Sequence, residues 1–256
     1  MLLIRLLSVL SPVLLALLAT DLFFKPERFY YILVLSLAVV FLSLFCAVKL
    51  SKQVKHLSQV FFYIAPGLLI NLGALLVLLL LENIWFRAGL VFLMLLSLLY
   101  YFNGLFNRFY KSAFLEKDRP KLNFRLLEVL IIFFVSTGLF GLIEFLNLPK
   151  LLLMAVVFLL VWLLSRINEF FNQPDEQPKA ISGHLLIGLM AAEIFWAIIS
   201  FSFVYYLKGL LLAFIYLVFS LFRDSDSQKL ERPVIRNYLI ATVIILVLIF
   251  LTARWF

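Results

Sequence analysis

Residues 29–49 read FYYILVLSLAVVFLSLFCAVK and carry no charged side chain before the final lysine. A helix needs about 20 mainly apolar residues to cross about 30 Å of hydrocarbon. At 1.5 Å per residue this stretch is about 31 Å long, which is enough for one crossing. Lipid offers no hydrogen-bond partner to a free backbone N–H or C=O, so a crossing segment of this kind must be helical. The stretch therefore predicts a transmembrane helix.

Eight other stretches have the same character, and none alternates polar with apolar residues as the strands of a membrane barrel do. The sequence therefore predicts an all-α fold, a polytopic transmembrane helix bundle with short loops. We expect residues 1–256 to form a single integral membrane domain. The nine predicted spans cover approximately residues 4–24, 29–49, 57–81, 84–107, 125–146, 149–168, 184–206, 208–222 and 235–254.

The number of spans has one alternative. The eighth stretch is short for a crossing, so residues 184–222 could form one long bent helix, which would leave eight spans. The segment Tyr205-Tyr206-Leu207-Lys208-Gly209 favours two helices joined by a tight turn. Tyrosine is enriched at headgroup depth, and glycine permits a chain reversal.

The first stretch has an alternative as a secretory signal peptide. Its apolar run is longer than the usual run of about 7–15 residues, and it lacks a clean cleavage site of small residues. We therefore expect it to be an uncleaved first span.

The overall composition excludes a soluble globular protein. The chain is 65% hydrophobic and 14% charged, whereas an ordinary soluble domain is about 45–50% apolar and about 25% charged. A soluble chain of this length would need more polar surface to cover its core.

The basic residues predict the orientation in the membrane. With nine spans and a cytoplasmic N-terminus, 16 of the 22 Lys and Arg residues fall on the cytoplasmic side. Short cytoplasmic loops are enriched in Lys and Arg. The sequence thus predicts a multi-pass protein of the cell membrane, with its N-terminus inside and its C-terminus outside. The expected partners are the lipid bilayer, with anionic headgroups on the cytoplasmic side, and another membrane protein, rather than nucleic acid.

Basic residues also recur along the chain with a period near 60. The predicted outer turns carry Lys25, Arg87, Lys150 and Lys208, at spacings of 62, 63 and 58 residues. This pattern is compatible with an internal duplication of helical hairpins, which are common in transporter folds. Any chain of minimal spans joined by short turns has a similar period, so the pattern alone does not establish a duplication.

Most classes of catalytic motif are absent. The sequence contains no phosphate-binding G-x-x-x-x-G-K-[ST], no G-x-G-x-x-G and no G-x-S-x-G. It has only two histidines and one cysteine, so a multi-histidine metal site is excluded. Ser182-Gly183-His184 is interpreted as a helix start with Ser182 as its cap. We therefore expect no cofactor and no metal, and the sequence favours a protein that is not an enzyme.

Glu193 is the predicted site residue, because it lies near the middle of the seventh span. An ionised carboxylate at the bilayer centre costs about 2.5–3.5 kcal/mol on insertion scales. Asn71, Ser136 and Thr137 lie at comparable depth in the third and fifth spans. These four residues are either a polar site that handles a substrate, a proton or a cation, or hydrogen bonds that join helices.

Two functions are compatible with this pattern. The first is a permease-like or transport-associated protein with a buried carboxylate, and Glu193 is the residue to test. The alternative is a non-catalytic membrane scaffold or assembly subunit of a larger complex. A membrane-embedded enzyme that acts on lipid needs several polar side chains to converge, and the sequence indicates too few of them.

Overall fold

The computed structural model describes residues 2–51, 57–111, 124–172 and 181–225. These residues form eight α-helices, with a 3₁₀ turn at Pro26–Arg28 and a π-helical turn at Asn107–Lys111, so the all-α prediction is confirmed for this part of the chain. The helices are α1 Leu2–Phe24, α2 Phe29–Leu50, α3 Leu57–Leu80, α4 Ile84–Phe106, α5 Phe124–Leu146, α6 Lys150–Asn172, α7 Ile181–Ile199 and α8 Tyr205–Ser225.

Six of these helices, α1 to α6, are long and apolar enough to cross a membrane, whereas α7 and α8 carry shorter apolar stretches. The chain is therefore a helical membrane protein. Each of the first eight predicted spans coincides mainly with one helix, although the seventh, residues 184–206, also includes the first two residues of α8. The ninth, residues 235–254, lies outside the described residues. The count of nine spans, the orientation and the single domain over residues 1–256 stay predictions.

The chain divides into two compact units, and unit 1 comprises residues 1–127 with 170–172. Helix α1 packs against α2 and α4, and α3 packs against the same two helices, so the four form a closed bundle. A Cβ placed on Gly67 of α3 would lie 2.7 Å from Leu44 Cδ1 of α2. The missing side chain at Gly67 thus lets these two helices approach closely.

Unit 2 comprises residues 128–169 with 173–256, and its described part holds most of α5 and α6 with α7 and α8. Glycine residues also allow close contacts between the helices of unit 2. A Cβ on Gly188 of α7 would lie 3.0 Å from the carbonyl oxygen of Phe158 on α6. A Cβ on Gly209 of α8 would lie 2.0 Å from Thr137 Oγ1 on α5. Small residues allow such contacts between membrane helices.

The turn between α7 and α8 differs from the prediction. Two separate helices are present, as expected, but α7 ends at Ile199 and α8 already begins at Tyr205. The amides of Leu207 and Lys208 donate to the Val204 carbonyl at 2.9 and 3.2 Å, which completes the first turn of α8. The predicted turn over residues 205–209 was wrong, because Gly209 serves helix packing rather than a chain reversal.

Candidate functional site

Ser136 and Thr137 are neighbours on α5, and both are buried within unit 2. Ser136 Oγ donates to the Ile132 carbonyl at 2.5 Å and approaches the Gly209 carbonyl at 3.4 Å. The Thr137 hydroxyl has no hydrogen-bond partner among the described residues. Both side chains lie where α8 meets α5, so their observed contacts are those of helix packing.

Glu193 lies on α7 in unit 2, and its side chain is exposed. Leu189 and Trp196, one turn to either side, are exposed as well. The buried face of α7 carries Phe195 and Ile198 instead. Depth along a helix fixes how far a residue is from the bilayer centre, but it does not fix the direction in which the side chain points. Glu193 is thus not the buried carboxylate that we expected, and its role stays a prediction.

Asn71 belongs to unit 1, unlike the other three predicted site residues. Its side chain is fully buried, and its Nδ2 donates to Ser36 Oγ on α2 at 3.0 Å. Its Oδ1 has no hydrogen-bond partner in the described part of the chain. Asn71 therefore links α3 to α2, as interhelical hydrogen bonds do in membrane bundles.

A different carboxylate is buried in unit 2. Glu128, near the start of α5, has no exposed surface. The Tyr216 hydroxyl on α8 donates to its Oε1. Asn168 Nδ2 on α6 donates to its Oε2 at 3.1 Å. One carboxylate thus joins three helices, and both of its oxygens accept a hydrogen bond.

A second hydrogen-bonded group lies beside it around His184, the histidine near the start of α7. The ring is buried, and its Nδ1 lies 2.6 Å from Ser165 Oγ. Its Nε2 lies 2.9 Å from Glu169 Oε2. Because α6 supplies Ser165, Asn168 and Glu169 within about one turn, the two groups adjoin. We call these six residues the Glu128–His184 cluster: Glu128, Ser165, Asn168, Glu169, His184 and Tyr216.

The cluster contains side chains that can bind and release protons. A neutral imidazole donates at one ring nitrogen and accepts at the other, whereas a protonated one donates at both. Histidine also changes charge near neutral pH more readily than any other side chain. The Ser165–His184–Glu169 contacts resemble those that activate a serine nucleophile. However, Ser165 is only 1% exposed, so a substrate cannot reach its hydroxyl.

A sequence signal for this cluster existed. In a series of hairpins the start of α5, the end of α6, the start of α7 and the end of α8 all lie on one side. Glu128, Asn168 and His184 therefore share a depth, which their positions in the predicted spans already indicate. The predicted site was placed at Glu193 because this residue lies near the bilayer centre. Glu128, Asn168 and His184 lie near the ends of their spans and were not predicted.

The described residues contain no group of three His, Cys, Asp or Glu side chains that could hold a metal ion. Comparisons of the whole chain with known protein families, with characterised proteins and with solved structures found no match. A functional proposal therefore rests on the chemistry of the cluster itself.

Proposed function

We propose that the protein is permease-like or transport-associated, and that the Glu128–His184 cluster takes up and releases protons. The observation that carries this proposal is a fully buried carboxylate, Glu128, held by side chains from two other helices. Ionisable residues inside membrane bundles typically mark proton, ion or substrate pathways.

A change in the protonation of Glu128 would change its hydrogen bonds. As a carboxylate it accepts from both Asn168 and Tyr216. As a neutral acid it carries an O–H, and one oxygen becomes a donor that needs an acceptor. A buried donor without a partner costs about 1–3 kcal/mol. Protonation therefore requires either that the Tyr216 hydroxyl accepts instead of donating or that α6 or α8 rearranges around α5.

His184 adds a second proton-binding group on α7. Protonation of its ring requires the Ser165 hydroxyl to accept rather than donate a hydrogen bond, while it strengthens attraction to Glu169. Both partners belong to α6, which also supplies Asn168 to Glu128. The two titrating groups thus act on the same helix, which suits proton-coupled movement.

The test is proton flux in liposomes that contain the purified protein and a trapped pH-sensitive dye. A potassium gradient with valinomycin supplies the driving voltage. We expect Glu128→Gln to lower the proton flux at least tenfold, because the amide keeps the shape but does not titrate. Glu27→Gln is the matched control, since Glu27 is an exposed glutamate of unit 1.

Three results would contradict proton handling at the cluster. They are no wild-type flux above that of protein-free liposomes, undiminished flux in Glu128→Gln, and equal loss in Glu27→Gln. Thermal unfolding of each variant in detergent checks that it is folded. If Glu128→Gln is unstable, His184→Gln gives a second test at the same cluster. If Glu193→Gln were the only variant that lost proton flux, the proton site would lie at Glu193 on α7.

The exposure of Glu193 supports a second candidate, a non-catalytic scaffold. A carboxylate in an exposed apolar stripe of a membrane helix is costly unless another molecule covers it. In a scaffold, a partner would supply a hydrogen-bond donor to Glu193. We expect a membrane protein to co-purify with wild type and Glu193→Gln in mild detergent, but not with Glu193→Leu. Equal recovery of the partner with Glu193→Leu would exclude this role for Glu193.

A further inference from the structure

A cavity of about 260 Å³ lies in unit 2 at the end opposite the Glu128–His184 cluster. Glu144 lines it, and Glu144 is 16 residues from Glu128 on α5, which is about 24 Å along a helix. We propose that this cavity binds a phosphate-bearing group, from either an anionic lipid headgroup or free inorganic phosphate. This proposal does not rest on the proposed proton site, because the cavity and the Glu128–His184 cluster share no residue.

Two lysines from different helices make the cavity positive. Lys150 is the first residue of α6, and Lys208 lies in the first turn of α8; both line the cavity. Glu144 and Lys150 lie close enough to act electrostatically on Lys208. Within the described residues no ion pair joins either lysine to a carboxylate. Two ammonium groups and one carboxylate leave a net positive charge, which attracts an anion.

The backbone adds to this potential. Helices α6 and α8 both begin at the cavity, and the N-terminus of a helix carries a partial positive charge. The turn that precedes α6 is tight, because its residue Asn147 has a positive φ of 49°. The first turns of two helices thus each bring a lysine to the same cavity, and the helix dipoles add to the positive potential that phosphate oxygens favour.

The lining residues and the volume of the cavity indicate which chemical class of ligand it can bind. Ile143 and Phe203 are part of an apolar lining, and Ser202 adds a hydroxyl. A water molecule occupies about 30 Å³ in the liquid, so the cavity has room for about eight or nine waters. That space accommodates a phosphate with an attached glycerol unit. Apolar walls beside a positive centre match a lipid headgroup at its junction with the acyl chains.

The backbone that carries Lys208 is held in place before any ligand arrives. The next residue, Gly209, is in close contact with Thr137 of α5. This contact holds the first turn of α8 against the helix that carries Glu144. A preorganised site loses less conformational freedom on binding and therefore binds more tightly.

The test measures binding to the purified full-length protein in detergent by calorimetry. The probes are phosphatidylglycerol, phosphatidylcholine and inorganic phosphate. We expect the Lys150→Gln/Lys208→Gln double variant to weaken binding at least tenfold, because each lysine loses a charge-assisted hydrogen bond. Lys150→Arg/Lys208→Arg should retain binding, and Glu144→Gln should strengthen it about threefold. Lys25→Gln, which changes an exposed lysine of unit 1, should leave binding unchanged.

The probes also distinguish the two sources of phosphate. Binding of phosphatidylglycerol without inorganic phosphate identifies a lipid headgroup, whereas binding of inorganic phosphate identifies a free anion. Equal affinity for phosphatidylcholine and phosphatidylglycerol, with no phosphate binding, would overturn the proposal. Full binding by the folded double glutamine variant would overturn it too. If that variant does not fold, an unchanged affinity in Glu144→Gln becomes the refuting result.

Discussion

Substitution of Gly209 by alanine should disrupt the contact between α8 and α5. The added Cβ would lie 2.0 Å from Thr137 Oγ1 and 2.8 Å from both Cα and N of Thr137. Non-bonded carbon atoms prefer about 3.5–4.0 Å, so the two helices would have to separate by about 0.7–1.2 Å. A rotamer change at Thr137 could move the hydroxyl, but it cannot move the two backbone atoms.

Two opposing effects determine how much Gly209→Ala changes the free energy of unfolding. Overpacking of a well-packed core costs about 1–3 kcal/mol, and this contact is with backbone, which yields least. Alanine regains about 1 kcal/mol through its higher helix propensity. Because the contact is with backbone, we take the upper part of that range, about 2–3 kcal/mol, and expect Gly209→Ala to lower the free energy of unfolding by about 1–2 kcal/mol.

Unfolding in detergent, followed by circular dichroism, measures this change. Gly89→Ala and Gly183→Ala are the matched controls, since a Cβ at either position meets no atom within 4 Å. Both controls should be neutral or slightly stabilised. The double variant Gly209→Ala/Thr137→Ala should recover only part of the loss, because the backbone contacts remain. A Gly209→Ala protein as stable as the controls would refute the reasoning.

Two other substitutions test the packing and the cluster. Gly188→Ala should cost less than Gly209→Ala, because its nearest atoms, all of Phe158, lie at 3.0–3.3 Å. The overpacking cost of about 1 kcal/mol is nearly offset by the helix propensity of alanine, so we expect a net change of about 0–1 kcal/mol. The same unfolding measurement checks the order, and a loss larger than that of Gly209→Ala would contradict it. Tyr216→Phe removes a donor from the buried Glu128 and should lower the free energy of unfolding by about 1–3 kcal/mol, as denaturant titration would show. Stability equal to wild type would mean that this hydrogen bond contributes nothing measurable.

The sequence predicted the number and position of the described helices well, because the length of an apolar run is a direct physical signal in lipid. Residues 29–49 were predicted, and α2 covers Phe29–Leu50. The boundary after α7 was misplaced because Tyr, Lys and Gly also mark an interface turn. The sequence alone does not show whether a glycine such as Gly209 allows a chain reversal or a close contact between helices.

The site was harder to predict, for a geometric reason. A transmembrane helix is apolar on all sides, so its sequence does not indicate which face is buried. Glu193 shows the consequence, since its depth was predicted but not its exposure. The partners of Glu128 lie 40 and 88 residues away along the chain. Such contacts depend on which helices are neighbours, which short loops alone do not determine.

Helix α5 carries Glu128 near one end, Glu144 near the other, and Thr137 between them against Gly209. Thr137 is about 14 Å from Glu128 and about 10 Å from Glu144 along the helix axis. A helix without proline or a bulge bends only gently, so α5 would tilt nearly as one body about its contact at Thr137. A tilt of about 5° would move the two ends by about 1 Å in opposite directions. Such a tilt would therefore change the surroundings of Glu128 and of Glu144 together.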